Sequence, residues 1–185
     1  ILERCAGFGV APKLAEKVCA KTISDYRFQI SNFQTAKAEY ENVRLNLLGK
    51  HQTENAETAI LLAEILQDHF PITGKNIIEG LQTAVHKGRL EFRGKFLFDG
   101  AHNPGGAKAL RDFLDEFIKH PVTFVFGAMR DKNLAEITGI LFPKAEKLIF
   151  TAPDNPRSMW AEEFLEFLPE TFPRENVFLT ESVGE

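Results

Sequence analysis

The segment Lys95-Phe96-Leu97-Phe98-Asp99-Gly100-Ala101-His102-Asn103-Pro104-Gly105-Gly106 decides the fold of this chain. Its first residues form a short apolar strand pattern that ends in the carboxylate of Asp99, and a tight turn leads to a helical pattern from Ala107. Helix amino termini carry N–H groups without intrahelical partners, and ligands of α/β proteins collect at the carboxyl ends of strands. The segment therefore predicts a nucleotide or anion site in an α/β protein.

From Gly88 onward, short apolar runs alternate with helical stretches. The runs are residues 96–98, 122–126, 147–150 and 177–179, and the helical stretches are residues 107–118, 134–141 and 159–168. Runs that are apolar on both faces and separated by helices are typical of a parallel sheet built from right-handed βαβ units. We predict a Rossmann-like, mostly parallel sheet with helices on both faces.

Helical periodicity dominates the part before residue 87, interrupted by two candidate strands at residues 26–33 and 43–48. The clearest helix covers residues 53–66. Its predicted inward stripe is Ala56, Ala59, Ile60, Ala63 and Leu66, and Glu54, Glu57 and Glu64 are predicted on the opposite side. A second helix should begin after Thr73 as N-cap and direct Ile77, Leu81, Ala84 and Val85 inward.

Composition and charge exclude several classes of protein. A formal net charge of −4 argues against a general nucleic-acid binder. The chain has no apolar run near the length of a membrane helix and no basic-then-apolar leader, so we expect a cytoplasmic protein without membrane contact. Cys5 and Cys19 are too few for a disulfide framework, and we interpret both as reduced packing residues. Seventeen Phe residues predict a phenylalanine-filled core.

Three polar loops, residues 99–104, 127–133 and 151–157, follow predicted strands. If the strands are parallel, these loops meet at one edge of the sheet and form a site. Each residue also has a simpler interpretation. Asp99 or Asn103 could cap the next helix, His102 could be a solvated turn residue, and residues 130–132 could be a hydrated charge cluster. The combination of groups in residues 99–104 favours the functional interpretation.

Two further segments complete a set of four blocks with residues 99–104 and 126–133. They are Leu48-Gly49-Lys50-His51-Gln52-Thr53-Glu54-Asn55-Ala56 and Lys87-Gly88-Arg89-Leu90-Glu91. In order and spacing the set resembles the folylpolyglutamate synthase and dihydrofolate synthase family, a branch of the Mur ligase superfamily. The resemblance covers nearly the whole chain. It implies an ATP-dependent ligase that joins L-glutamate to a folate or to dihydropteroate through an acyl phosphate, with Mg²⁺ shielding the transferring phosphoryl group.

The resemblance also implies roles for individual residues. Asn55 would contact adenine, Arg89 would reach the ATP phosphates from an interdomain hinge, and Asp99 would bind ATP through its ribose hydroxyls. His102 would lie near the transferred phosphate or the incoming glutamate as the catalytic residue. Arg130 and Lys132 would help to neutralise glutamate or phosphate, although the family commonly has Asp where this chain has Asn133. No metal ligand is expected in this chain.

The family's phosphate-binding GxxGKGS loop is not found in the sequence. The Gly-Lys pairs at Gly49, Gly74 and Gly94 are followed by His, Asn and Phe, never by Ser or Thr. We therefore expect a fragment without ATP turnover of its own. Residues 1–87 would be the end of a central ATPase domain, and residues 88–185 would be an incomplete carboxyl-terminal Rossmann-like domain.

Two other functions stay open. One is a Mur-type ligase of peptidoglycan synthesis, which is disfavoured by His-Gln after Gly49-Lys50 and by the form of residues 99–104. The other is a non-catalytic nucleotide-binding α/β module. For the intact protein, the expected partners are ATP, L-glutamate and a folate or dihydropteroate, and we expect a monomer.

Overall fold

A computed structural model describes residues 7–8, 18–25 and 27–184. The chain divides into two compact units, Ile1–Val85 and His86–Glu185. Cys5, and Tyr26 as the start of a predicted strand, lie outside the described residues.

The first unit contains a three-stranded antiparallel sheet in the order β1-β2-β3. The strands are β1 (Cys19–Asp25), β2 (Phe28–Gln34) and β3 (Glu39–Leu45). The sequence predicted β2 and β3 but missed β1. It also placed the third strand at residues 43–48, several residues too late. β3 is irregular at Asn42, which has φ of 54°, and its pairing with β2 shifts between Ser31 and Phe33.

Helix α1 (Lys50–Leu66) packs on this sheet through an inward face that differs from the predicted stripe. Its buried residues are Gln52, Ala56, Ile60 and Glu64. The prediction was wrong for Ala59, which is exposed, and for Glu64, which is only 4% exposed. Glu64 is inside because Tyr40 and Thr35 both donate hydrogen bonds to its Oε1, and such partners offset the cost of burying a carboxylate.

Helix α2 (Gly74–Thr83) begins as predicted after Thr73. Thr73 and Asn76 form a capping box, in which each side chain accepts a hydrogen bond from the backbone N–H of the other. Ile77 is buried, as expected. Val85 was predicted to point inward but is 77% exposed, because the helix ends at Thr83.

The second unit begins with a hairpin of β4 (Glu91–Arg93) and β5 (Phe96–Phe98). The two strands pair antiparallel with each other, so the prediction that residues 96–98 join the parallel sheet was wrong. Gly94, with φ of 60°, opens a two-residue turn between them. Such a turn directs the chain back on itself and leaves no length for a crossover helix.

The predicted parallel sheet is formed by three strands, β6 (Val122–Phe126), β7 (Ala145–Phe150) and β8 (Val177–Leu179), in that order. Helix α3 (Pro104–Phe117) precedes β6, and helix α4 (Leu134–Leu141) lies between β6 and β7. The predicted helix at residues 159–168 is a 3₁₀ helix, Ala161–Phe167. It ends where Pro169 disfavours helical geometry for Leu168. Two further 3₁₀ turns, Phe142–Lys144 and Arg174–Asn176, precede β7 and β8.

Phenylalanine fills the core on one face of the parallel sheet, as predicted. Phe126 and Phe150 each contact Phe142 and Phe164, with ring centroids 5.2 to 5.6 Å apart. On the opposite face, Val125 pairs with Ile149, which pairs with Phe178. Val125 is 64% exposed and Phe178 is 48% exposed. The α/β class is confirmed, but in the described residues this second face is open at both of these side chains.

Candidate active site

Asn55 lies on the second turn of α1, in a chain of side-chain hydrogen bonds. Its Nδ2 donates to Oε1 of Gln52 at 3.0 Å, and Nε2 of Gln52 lies 3.0 Å from Nε2 of His51. Asn55 is exposed, whereas Gln52 is only 8% exposed. Gln52 therefore holds the amide group of Asn55 from the buried side of the helix. No pattern in the sequence predicted this role for Gln52.

Asp99 connects the end of β5 to the segment before β4. Its Oδ2 accepts a hydrogen bond from the backbone N–H of Leu90, and its Oδ1 accepts one from the backbone N–H of Ala101, both at 2.9 Å. The backbone N–H of Gly100 also donates to the carbonyl oxygen of Gly88 at 2.7 Å. We call residues 88–90 and 99–102 the junction. The cap of α3 is Asn103, whose Oδ1 accepts from the N–H of Gly106, so the capping interpretation holds for Asn103 rather than for Asp99.

The carbonyl oxygen of Gly100 brings Arg89 and His102 together. Nη1 of Arg89 donates to it at 3.3 Å, and Nδ1 of His102 lies 2.9 Å from it. Because a carbonyl oxygen only accepts, Nδ1 of His102 carries the proton in this bond, and Nε2 is the acceptor in the neutral ring. The guanidinium of Arg89 has five N–H donors, so most of them remain for other partners.

The loops after β6 and β7 are joined by backbone contacts. The N–H of Arg130 donates to the carbonyl of Arg157, and the N–H of Met159 donates to the carbonyl of Ala128, both at 3.0 Å. Gly127 allows this close approach, because a Cβ atom there would lie 2.6 Å from the carbonyl oxygen of Thr151. Two of the three predicted loops therefore meet at the carboxyl edge of the parallel sheet.

The two cations predicted to bind substrate are both paired with carboxylates. Arg130 contacts Glu163, and the pKa of Glu163 is lowered, first by the Arg130 hydrogen bond and then by the backbone N–H of Trp160. Lys132 lies 2.8 Å from Asp131, and its hydrogen bond is the main reason that the pKa of Asp131 is lowered. Arg157, on the neighbouring loop, is exposed and makes no salt bridge within the described residues.

The predicted site residues therefore fall into three groups. Arg89, Asp99 and His102 share the junction, where the partners of their side chains are backbone groups of residues 90, 100 and 101. Arg130 and Lys132 lie on the loop after β6. Asn55 belongs to the other compact unit.

The described residues hold neither a candidate metal cluster nor a candidate membrane span. Within residues 7–8, 18–25 and 27–184, no group of three or more His, Cys, Asp or Glu side chains is arranged to hold a metal ion. Nor does any helix in those ranges combine the length and apolarity that crossing a membrane requires.

The chain spans a minor part of the proteins that it matches. A probable bifunctional folylpolyglutamate synthase/dihydropteroate synthase of Haloferax volcanii is 35% identical over 150 residues, which are 80% of this chain and 17% of that protein. A dihydrofolate synthase/folylpolyglutamate synthase of Bacillus subtilis is 32% identical over 138 residues, 71% of this chain and 32% of that protein.

A solved structure of Mycobacterium tuberculosis folylpolyglutamate synthase, complexed with ADP and AMPPCP, shows the same fold. It superposes with a TM-score of 0.83 at 23% identity, over 98% of this chain and 42% of that chain. The family described as Mur ligase, glutamate ligase domain, matches residues 88–185. Since this match covers more than half of the chain, including the junction, the chain belongs to the Mur ligase family.

Proposed function

We propose that the intact protein carrying these residues is an ATP-dependent ligase that adds L-glutamate to a folate, to dihydropteroate, or to both. One observation carries the proposal: Arg89 and His102 donate to the same carbonyl oxygen, that of Gly100, inside a Mur ligase domain. A guanidinium beside an oriented imidazole suits a reaction that handles phosphate oxygens and an attacking amine. Relatives named folylpolyglutamate synthase support the same substrate class.

The chemistry of this ligation begins with a carboxylate, which is a poor electrophile. Transfer of the γ-phosphoryl group of ATP makes an acyl phosphate, and attack by the amine of glutamate releases phosphate and forms the amide. Arg89 would bind phosphate oxygens with its planar donors. Nε2 of His102 would accept a proton from the attacking amine, because Nδ1 is held by the Gly100 carbonyl.

The cosubstrate and the anionic substrate would be bound by further groups of the chain. Asn55 would contact adenine through the amide oxygen that its bond to Gln52 leaves available. Arg130 and Lys132 would bind glutamate or phosphate, and an anion at either side chain has to compete with Glu163 or Asp131. Mg²⁺ would neutralise phosphate charge when bound, and we propose that its ligands lie outside this chain.

We further propose that residues 1–87 belong to a central ATPase domain and residues 88–185 to the carboxyl-terminal domain of a cytoplasmic monomer. Size-exclusion chromatography with light scattering on the intact protein tests the monomeric state. A mass of two or more chains would contradict it.

The activity is tested by incubating the intact protein with ATP, radiolabelled L-glutamate and either dihydropteroate or tetrahydrofolate. We expect an amide product together with ADP and phosphate. Arg89→Ala should lower kcat/KM by about two orders of magnitude. Arg174→Ala, which removes an exposed arginine outside the junction, should leave kcat/KM within about twofold.

Two results would contradict the proposal. Amide formation only with a UDP-linked muramoyl peptide acceptor would indicate a peptidoglycan ligase. Nucleotide binding without amide formation on any acceptor would indicate a binding module.

A further inference from the structure

His51, Gln52 and Asn55 form a chain of hydrogen bonds at the start of α1. Nε2 of Gln52 lies 3.0 Å from Nε2 of His51, and Nδ2 of Asn55 donates to Oε1 of Gln52 at 3.0 Å. An amide nitrogen only donates, and an amide oxygen only accepts. In this arrangement, Gln52 therefore requires an unprotonated Nε2 on His51 at one end and an N–H group of Asn55 at the other.

The buried side chain of Gln52 couples the two ends of this chain. Gln52 is only 8% exposed, and a buried donor or acceptor that loses its partner is costly. If Nε2 of His51 carried the ring proton, the amide of Gln52 would have to turn over to accept it. Nε2 of Gln52 would then face Asn55, whose amide would have to turn over as well and offer Oδ1. The ring proton of His51 thus distinguishes two arrangements of all three side chains.

The helical turn that carries the chain is anchored on both sides. The backbone N–H of Gln52 donates to the carbonyl of Gly49 at 2.9 Å. Oγ1 of Thr53, the next residue, accepts from Nε2 of Gln29 at 2.6 Å, and Gln29 lies on β2 with only 1% of its surface exposed. Because the backbone of this turn is held, a change at His51 acts on the amide groups rather than on the position of the helix.

The arrangement determines which groups Asn55 presents to a base. Its bond to Gln52 uses one N–H group of Nδ2, and the other N–H and the lone pairs of Oδ1 are not used in that bond. Adenine offers an amino donor beside the acceptor N7, which matches this pair, whereas a 6-oxo purine offers two acceptors there. The turned-over arrangement would direct Oδ1 towards Gln52 and both N–H groups away from it, which suits a 6-oxo purine.

We propose that His51 and Gln52 are positioning residues that orient the amide of Asn55. The acceptor at Nε2 of His51 thereby determines the preference of the ligase for a 6-amino purine over a 6-oxo purine. The base preference rests on the function proposed above. The orientation of the three side chains rests on the described hydrogen bonds alone.

The orientation is tested on the 185-residue chain by proton–nitrogen NMR of His51, at a pH at which the imidazole is neutral. We expect the ring proton on Nδ1 and a scalar coupling between Nε2 of Gln52 and Nε2 of His51 across their hydrogen bond. Gln52→Leu should abolish this coupling. His120, whose Nδ1 lies 3.0 Å from the carbonyl oxygen of Pro121, is the internal control and should be unchanged. A ring proton on Nε2 of His51 would refute the orientation.

The base preference is tested in the intact ligase with ATP and ITP, which carries a 6-oxo group. We expect kcat/KM for ATP to exceed that for ITP by about tenfold or more. His51→Glu places acceptor oxygens as many bonds from the backbone as Nε2 of His51, so the ATP-to-ITP ratio should stay within about threefold. His51→Lys supplies only donors and should lower the ratio by about tenfold or more.

Two controls separate the link through Gln52 from other effects of His51→Lys. Glu54→Lys places the same side chain at the exposed neighbour of Asn55 and should leave the ATP-to-ITP ratio unchanged. In the Gln52→Leu background, His51→Lys should change the ratio by less than about threefold, because the link to Asn55 is missing. A fall of equal size in both backgrounds would overturn the inference, since His51 would then act on the base without Gln52.

The NMR measurement separates this inference from the proposed function. If the protein forms the amide but its ATP-to-ITP ratio is unaffected by His51→Lys, the inference fails and the proposed function stands. If the intact protein forms no amide, the proposed function and the base preference fail together. The ring proton of His51 and its coupling to Gln52 still decide whether the three side chains have the orientation described.

Discussion

The phenolic hydroxyl of Tyr40 donates a hydrogen bond to the buried carboxylate of Glu64 at 2.9 Å. Thr35 donates to the same oxygen at 2.7 Å, and Nζ of Lys37 donates to the backbone carbonyl of Glu64 at 2.9 Å. Burial, followed by the bond to Glu64 and its negative charge, raises the pKa of Tyr40 to about 12. The core of the first unit thus depends on a protonated phenol beside a carboxylate.

Tyr40→Phe should lower the free energy of unfolding by about 1–3 kcal/mol at neutral pH, because Glu64 loses a donor while it stays buried. Because the pKa is raised, the folded state binds the phenolic proton more tightly than the unfolded state does. The associated stability, about 3 kcal/mol, should be present below pH 10 and lost as the pH rises through about 12. Urea unfolding at several pH values measures this.

The absorbance titration of the unaltered chain minus that of Tyr40→Phe isolates the Tyr40 phenol. A midpoint near pH 10 in this difference would contradict the prediction.

Two glycine-to-alanine substitutions should have opposite effects on stability. Gly127→Ala places a methyl group 2.6 Å from the Thr151 carbonyl and 3.0 Å from Pro153, so the joined loops must separate at a cost of about 1–3 kcal/mol. Gly139→Ala, in α4, meets no atom within 4 Å and should stabilise the chain by about 0.5–1 kcal/mol. Thermal unfolding of both variants provides the measurement. If Gly127→Ala and Gly139→Ala changed the stability by the same amount, the close approach at Gly127 would be unimportant.

The Arg130–Glu163 pair should be visible in the titration of Glu163. Arg130→Gln removes the main cause of the lowered pKa, so the pKa of Glu163 should rise. A carboxyl group whose pKa is lowered in the folded state stabilises that state at pH values above the ordinary glutamate pKa. This stabilisation is lost as the pH falls through the lowered pKa. When the pH is lowered, Arg130→Gln should therefore lose less stability than the unaltered chain.

Carbon-13 NMR of the Glu163 carboxyl provides the measurement. Arg111→Gln is the matched control, since it removes the main cause of the lowered pKa of Asp115. It should shift Asp115 and leave Glu163 unchanged. A Glu163 titration that is identical in Arg130→Gln and the unaltered chain would show that the pair does not persist in solution.

Replacement of Gln52 should disturb Asn55 without removing it. Gln52→Leu keeps a side chain of similar size at this buried position but eliminates the acceptor of the Asn55 amide. In the intact protein we expect the KM for ATP to rise about threefold to tenfold with kcat little changed, as for a loss of uniform binding. Glu54→Gln, at the exposed neighbour, is the control. A fall in kcat at constant KM would place the effect of Gln52 elsewhere.

The sequence predicted several elements of the second unit at their observed bounds. These are the strands β6 and β8 and helix α4, in which apolar residues predominate although the side chains of the two strands are only partly buried. β1 was missed because residues 21–24 are all exposed and carry no apolar alternation. β5 was misassigned because Phe96 and Phe98 look like a buried strand, whereas they are 60% and 49% exposed.

Part of the candidate site could not be predicted from the pattern of side chains in the sequence. The sequence indicated Arg89, Asp99 and His102 together, and the junction groups them. Their common point is the carbonyl of Gly100, a backbone atom that every residue possesses and that no pattern marks. The carboxylate of Glu163 pairs with Arg130, and that of Glu64 is buried beside Tyr40. Both contacts join residues more than 20 positions apart in the sequence.

The row of Val125, Ile149 and Phe178 has a practical consequence for handling the isolated chain. Large apolar side chains that face water across neighbouring strands favour self-association, and sulfate and phosphate salts strengthen this tendency. A preparation of these 185 residues should therefore stay dispersed longest in low-sulfate buffer, and Phe178→Lys should extend its solubility without touching the junction.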